Sequence, residues 1–312
     1  MSRILVLYWS QTGQLTRILQ SITQPLEQAG HTVEYKRYFP KKDYPFPWSV
    51  YTFFDLMPET VLGLAQPEEL EVEPIDHPDQ YDLILLGYAP WFLSPSLLVQ
   101  GLFKKENADF IFANKPVVTV TGCRNMWLNA MERLKYLLIE KKARLVGNIA
   151  LVDPAPNVVS LITLSAWLFG GKKEGFMGGI WGPSGVSPAQ IANAANFGKI
   201  IDSHLQAGHF EGMQPKLVAA KAVEVNPNLI PIESRAIRLF SLWANFVRQK
   251  GNPGNPKRHF RLKLFLYYIL AALGIIGPIV SLFAWIGRKL SPKGIQQKIA
   301  YYEGIAWKEN GI

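Results

Sequence analysis

The chain has 312 residues, 48% of them hydrophobic and 18% charged, which allows a sizeable core and excludes general disorder. Its single cysteine, Cys123, excludes an intrachain disulfide framework and suits a reducing compartment. The net charge of +9 is lopsided: from His209 onward there are 15 Lys or Arg against 5 Asp or Glu, whereas the first 208 residues carry 18 against 19.

Ile4–Trp9 is short and nearly all apolar, the pattern of a central parallel strand. The run is too short for the core of a signal peptide, so this strand is expected to belong to a mature cytoplasmic protein. Gln14–Ala29 carries Leu15, Ile18, Leu19 and Ile22 at helical spacing and stops at Gly30. Between strand and helix stands "SQTG", with Ser10, Thr12 and Gly13. A Walker loop would need GxxxxGK[ST], and a dinucleotide loop would need GxGxxG. Neither is present. What remains is a hydroxyl-rich loop at a helix start, where orphan amides and the helix dipole favour an anion. A plain N-cap is the alternative reading of the same four residues.

Thr32–Tyr38 resumes a strand, and Phe39–Gln80 is longer than any simple connection, with "YPFPW" (Tyr44–Trp48) and "FFD" (Phe53–Asp55) inside it. Tyr81–Gly87 is a second buried strand and leads into "YAPWFLSPS" (Tyr88–Ser96). Val117–Thr121 is a further strand, followed by "TGCRNMW" (Thr121–Trp127) and a helix to about Lys141. Arg144–Val152 is the last strand, and Asp153–Val186 is a second long insertion containing "NVVSLITLSAWLF" and "GPSGVS". Ser187–Gln206 closes the unit, with Pro188 at its start and Gly208 beyond its end. Alternating strands and helices predict an α/β domain over 1–208, a doubly wound five-stranded parallel sheet complete by about Gly208. Ligands of such sheets bind at the carboxyl ends of the strands. Both insertions, 39–80 and 153–186, read either as a peripheral mini-core or as lids and substrate loops, and in the second reading they are expected to line an apolar route to that end.

Residues 209–312 form a basic helical region. Leu264–Ile286 is 23 residues without a charge, and Lys or Arg flanks it on both sides. The length fits a membrane segment, and cationic flanks at both ends favour one that dips in and returns, with a single span as the alternative. Ile232–Gly251 has the apolar and basic faces of an interfacial helix. The expected partner is an anionic membrane surface rather than nucleic acid, because the charges bracket an apolar run. The expected location is the cytoplasmic side of the inner membrane. The five histidines show no metal-ligand spacing, and no metal is expected.

Three loops thus follow successive strands, and they carry a resemblance. "SQTG", the G-x-x-P-aromatic loop with Trp91 and Phe92, and "TGCRN" together resemble the flavodoxin family over residues 2 to about 208. The resemblance implies a flavodoxin-like fold with FMN as cofactor. It places Ser10, Gln11, Thr12, Gly13, Gln14 and Leu15 at the phosphate. It places Ala89, Pro90, Trp91, Phe92, Thr121, Gly122, Cys123, Arg124 and Asn125 at the flavin ring. Leu15 departs from the threonine usual in that family, which implies a weaker phosphate grip. A narrower resemblance is carried by "SQTGQL", "YPFPW", "FFD", Pro58–Glu59, "PWFLSPS" and "GPSGVS". These look like proteins of the dialkylresorcinol condensing enzyme family, which implies a role beside a ketosynthase, oxidising a dialkylcyclohexanedione to a resorcinol. No condensing site is visible, since Cys123 has no histidine partner in sequence.

In that reading a base removes a proton beside a carbonyl while the flavin accepts the electrons, and Tyr88, Arg124 and Asn125 are the candidates to polarise the carbonyl. Two other readings fit the same residues. One is a flavodoxin-type electron carrier or NAD(P)H:quinone reductase at the membrane. The other is a non-catalytic flavodoxin-fold scaffold for a lipid-synthesis complex.

Overall fold

A computed structural model describes residues 1–173, 182–272 and 292–307. Strand β1 (Arg3–Tyr8) leads into helix α1 (Gln14–Gln28), and β2 (Thr32–Pro40) follows. The first insertion folds into short helices α2 (Val50–Asp55) and α3 (Met57–Leu62) and a short strand β3 (Leu70–Val72). Then come β4 (Leu83–Gly87), the small hairpin β5 (Pro90–Trp91) and β6 (Ser94–Pro95), and helices α4 (Leu97–Lys104) and α5 (Ala108–Phe112). Strand β7 (Pro116–Cys123), α6 (Leu128–Glu140) and β8 (Arg144–Val152) complete the sheet. Beyond it lie α7 (Asn157–Gly170), α8 (Pro188–Asn193), α9 (Ala195–Ala207) and α10 (Met213–Ala219). Last are α11 (Ile230–Arg248), α12 (His259–Ala271) and α13 (Pro292–Glu303).

The sheet order is β3-β2-β1-β4-β7-β8. Five strands are parallel, and counted along the chain they stand 2-1-3-4-5, the flavodoxin-like doubly wound order. The expected five parallel strands are joined by one more: β3, from the first insertion, pairs antiparallel with β2 through Tyr38 and Val72. Three residues with one inward apolar side chain are too short a signal to read from sequence. The register sets Ile4 beside Val33 on one side and Leu83 on the other. Ile4–Tyr8 and all of Leu83–Gly87 are buried, because both sheet faces are covered.

Alternation along the strands divides the core in two. Ile4, Val6, Leu83, Leu85, Val118 and Val120 face α1, α9 and α10. Leu5, Leu7, Ile84, Leu86 and Val117 face α4, α5 and α6. Gly198 of α9 lies so close to α1 that a Cβ there would sit 1.9 Å from the Ile22 carbonyl oxygen. The helix expected over 187–206 is two, broken at Ala194.

The packing does not stop at Gly208. Met213, Leu217 and Ala222 belong to the first core face, and Val223 and Ile230 to the second. The outer edge of β8 is paired by the same segment. Gln214 Oε1 accepts from the Asn148 amide at 2.7 Å, and the Ala222 carbonyl accepts from the Ala150 amide at 2.8 Å. Residues 213–230 are therefore part of the α/β unit, which an expected boundary at 208 would have cut.

A third cluster joins the first insertion to the carboxyl-terminal helices: Met57, Val61, Leu93, Ile237, Ala244, Val247, Leu262 and Phe265. Arg258, fully buried, fixes that joint. Its Nη1 and Nη2 donate to Glu59 at 3.1 and 2.9 Å, and its Nε lies 2.9 Å from Asp55. Among the described residues no helix is long and apolar enough to cross a membrane. Of the expected membrane run 264–286, residues 264–272 belong to the described part and the rest lies outside it.

Candidate functional site

The polarity of the sheet brings the loops after β1, β4 and β7 to one end, beside the point where the chain order reverses between β1 and β4. At the first loop Gly13 is the N-cap of α1, with φ 74°. That left-handed backbone suits glycine, and a Cβ there would meet no atom within 4 Å. No side chain caps α1, so neither Ser10 nor Thr12 satisfies its first-turn amides. Thr12 is exposed and Ser10 half-buried. The open helix start, with its positive dipole end, can accept an anion.

The two glutamines of this loop hold the insertions. Gln11 Nε2 donates to the carbonyls of Tyr44 and Pro45 at 3.4 and 3.2 Å, and Gln11 Oε1 accepts from Trp48 Nε1 at 2.9 Å. Buried Gln14 donates to the Val186 carbonyl at 3.5 Å and accepts from the Val186 amide at 3.3 Å. Leu15, expected at a phosphate, is instead a core residue packed with Ile18 and Leu19, because its place in the first turn faces the sheet.

The second loop is the β5–β6 hairpin, with Pro90 opposite Pro95 and Trp91 opposite Ser94. Phe92 and Leu93 form its tip at φ 50° and 62°. Two consecutive left-handed residues are what a two-residue hairpin needs, and without glycine each costs about 1–3 kcal/mol. Arg133 of α6 stabilises the turn by donating to Ser94 Oγ at 2.7 Å and to the Val61 carbonyl at 2.6 Å. The Ala89 carbonyl closes the hairpin base by accepting from the Ser96 amide.

Trp91 stands in a wall of aromatic rings. Its centroid is 5.9 Å from Trp9, 5.6 Å from Tyr44, 6.0 Å from Trp48 and 6.1 Å from Phe53. Phe53 continues to Phe92 at 4.8 Å and to Phe169 of the second insertion at 5.9 Å. Both insertions thus meet at the carboxyl end of the sheet. Burial, with the charge of Glu69, pushes the Tyr44 phenol up to about 12, so it stays neutral.

In the third loop Thr121 is buried on β7. Gly122 is dictated by packing: a Cβ would sit 2.6 Å from Ile18 and 3.3 Å from Val186. Burial, assisted by Glu233, holds the Cys123 thiol well above its ordinary value. Burial also lowers the Arg124 guanidinium, opposed by the charge of Asp153. Asp153 ends β8 and organises the second insertion. Its carboxylate accepts from the amides of Ala155 and Gly185 at 2.8 and 3.0 Å and from Ser160 Oγ at 2.9 Å. Asn125 borders a cavity of about 20 Å³, whose other walls include Val152, Leu229 and Glu233.

Tyr88 does not reach the loop cluster. It is fully buried, and its hydroxyl donates to Met131 Sδ at 3.7 Å on the α6 face. The position directly after a strand left either face open to sequence reasoning, and the pleat turned it inward. Of the expected residues the structure gathers Gln11, Trp91 and Phe92 around the aromatic wall, keeps Gly13 at the open start of α1 and sets Arg124 by Asp153. It places Leu15, Tyr88, Gly122 and Cys123 in packing roles. Trp9, Asp153 and Glu233 were not expected. Trp9 ends the first apolar strand, which was a usable signal. Glu233 lies in a helix 104 residues from the Asn129 amide that donates to it at 3.1 Å. Burial raises its carboxyl to about 8 against the pull of the Asn129 and Leu128 amides. Among the described residues no group of His, Cys, Asp and Glu is placed to hold a metal ion.

No protein-family model and no curated protein matches this chain. Similar solved structures include a flavoprotein from Lactobacillus acidophilus in complex with FMN, 16% identical over 48% of this chain and 93% of that one, with TM-score 0.39. Oxidised flavodoxin 1 from Bacillus cereus is 15% identical over 54% and 97%, with TM-score 0.30. A flavoenzyme NAD(P)H:(acceptor) oxidoreductase from Paracoccus denitrificans is 14% identical over 66% and 98%, with TM-score 0.33. At these values the fold assignment stands on the chain's own strand order.

Proposed function

We propose that the protein is an FMN-dependent oxidoreductase whose substrate is an apolar cyclic ketone, such as a dialkylcyclohexanedione oxidised to a resorcinol lipid. The observation that carries this reading is the juxtaposition, at the sheet's switch point, of an uncapped helix start at Gly13 and the wall of Trp9, Tyr44, Trp48 and Trp91. The helix start suits a phosphate. Trp9, Tyr44 and Trp91 are only half-buried, and a flat heteroaromatic partner can stack on such ring faces. The residues fit FMN in both respects. Ser10, Gln11, Thr12 and the amides of α1 would hold its phosphate, with Trp91 and Phe92 beside its ring.

FMN, when bound, supplies the two-electron acceptor that these side chains lack. Arg124, kept beside Asp153, presents a cation to a substrate carbonyl and favours the enolate formed as the neighbouring carbon loses its proton. The insertions, tied to the first loop by Gln11 and Gln14, exclude water and accept alkyl chains among Phe53, Phe92 and Phe169. This cover also favours a substrate-transforming enzyme over a carrier with an open flavin edge.

The test is the visible spectrum of the purified protein with an FMN titration. Binding at about micromolar affinity is expected, and Gly13→Val should weaken it roughly tenfold or more by blocking the left-handed cap. A colourless protein that takes up no added FMN refutes the cofactor. An FMN-loaded protein that leaves a dialkylcyclohexanedione unaromatised in the presence of oxygen refutes the substrate.

A further inference from the structure

Helices α11 and α12 each bury one face in the third core and leave the opposite face bare. On α11, Leu239, Leu242 and Phe246 are exposed at steps of three and four residues. On α12, Phe260, Tyr267 and Leu270 are exposed on the same stripe as Lys263. Leu242, Phe260 and Leu270 are 67, 69 and 67% exposed, values at which a large apolar side chain has none of the described residues packed over it. The helices touch along Phe240, Trp243 and Phe246 on one and Arg261, Phe265 and Tyr268 on the other. At 100° per residue the α11 stripe lies beside that ridge and the α12 stripe lies on the side of α12 turned away from α11, so each helix carries a bare apolar line on its outer side.

The charge around this face has one sign. Residues 230–272 hold eight Lys or Arg and a single acid, Glu233, which is buried. Arg248 and Arg258 are committed to Glu59. Arg235, Arg238, Lys250, Lys257 and Lys263 remain at the surface. A second copy seated here would bring like charges together with no exposed carboxylate of this segment to meet them. A surface that is apolar underneath and anionic at its rim satisfies both features.

We propose that the α11–α12 face docks on an anionic lipid bilayer, lying in the plane of the interface with Leu242, Phe260, Tyr267 and Leu270 in the acyl boundary and the Lys and Arg at headgroup level. Behind this face the third core reaches toward the site. Phe265 lies 6.1 Å from Phe54, which lies 5.6 Å from Phe92 and 6.3 Å from Phe169. Packed aromatic side chains thus link the buried side of α12 to the loops at the sheet's end. The docking itself does not depend on the flavin reading, and its test has no catalytic readout.

The experiment is sedimentation of the full chain with vesicles of phosphatidylcholine containing about 30 mol% phosphatidylglycerol, and with vesicles of phosphatidylcholine alone. The comparison is a triple variant, Leu242→Glu, Phe260→Glu and Leu270→Glu, whose sites are exposed and whose folding is checked by circular dichroism and thermal unfolding. Wild type is expected to sediment with the anionic vesicles, roughly tenfold less with the neutral ones, and the triple variant roughly tenfold less with the anionic ones. Absence of wild-type sedimentation overturns the proposal, as does unchanged sedimentation of the folded triple variant. A wild-type dimer in vesicle-free buffer that the triple variant abolishes would assign the face to a second copy and overturn it equally.

Discussion

Arg258 and Glu233 are the two buried charged side chains on which the carboxyl-terminal third depends, and they behave oppositely. Arg258 has two guanidinium nitrogens on Glu59 and the third beside Asp55. Replacing it by methionine leaves the buried Glu59 and the half-buried Asp55 without their main partner, with only Arg248 at 3.5 Å from Glu59 and the Gly254 amide on Asp55 to compensate. The expected loss is about 3–5 kcal/mol of unfolding free energy, read as a lowered denaturation midpoint at unchanged m value. Glu233 has no cationic partner of this kind. Burial raises its carboxyl from 4.5 to about 8, so the folded state holds a proton that the unfolded state has released. Its contribution to stability is full below pH 4.5 and is lost as pH rises to about 8. Denaturation curves across that window should show a stability decline in wild type that is absent in Glu233→Gln. Equal slopes in the two proteins would show that Glu233 ionises normally and acts only as a cap for α6.

Helices α1 and α9 lie against each other without side chains at their closest point. A methyl group at Gly198 would collide with the Ile22 carbonyl and with Pro25 at 2.5 Å, both of them poorly movable. Gly198→Ala should therefore cost about 1–3 kcal/mol or more through forced separation of the two helices, although alanine is the better helix former. A thermal midpoint equal to wild type would show that α9 can slide. The hairpin at Pro90–Pro95 shows the converse economy, where the chain accepts left-handed Phe92 and Leu93 and Arg133 compensates from α6. Neither Gly198 nor the turn has a marker in sequence, because each is defined by what a distant element does.

The described residues form one interlocked body rather than a domain with a tail. Residues beyond Gly208 pair the outer edge of β8, fill both sheet faces and close the third core over the candidate site. Removal of 209–312 would expose an unpaired strand edge together with the apolar surface beneath Met213, Leu217 and Ile230. The truncated protein is expected to aggregate, measured by its share in the soluble fraction and by light scattering. A soluble, monodisperse 1–208 fragment would show that the carboxyl-terminal third is dispensable for folding.

The parallel strands and their order of use were legible because each is a short run buried on both faces, and such burial demands apolar residues whatever the neighbours are. The three loops at their ends were legible for the same reason, since a parallel sheet sends the loops after its strands to one end. The functions of individual loop residues were not. Leu15, Tyr88, Gly122 and Cys123 read as site residues by position, yet the helix phase and the pleat point Leu15 and Tyr88 into the core, Gly122 is fixed by its close approach to Ile18, and Cys123 packs half-buried against the core. Gln11 and Gln14 became anchors only because the insertions folded back onto them. Composition determined a basic, apolar carboxyl-terminal third. Only the tertiary structure decided that part of it completes the sheet while another face stays open, because burial depends on which surfaces meet across more than a hundred residues of chain.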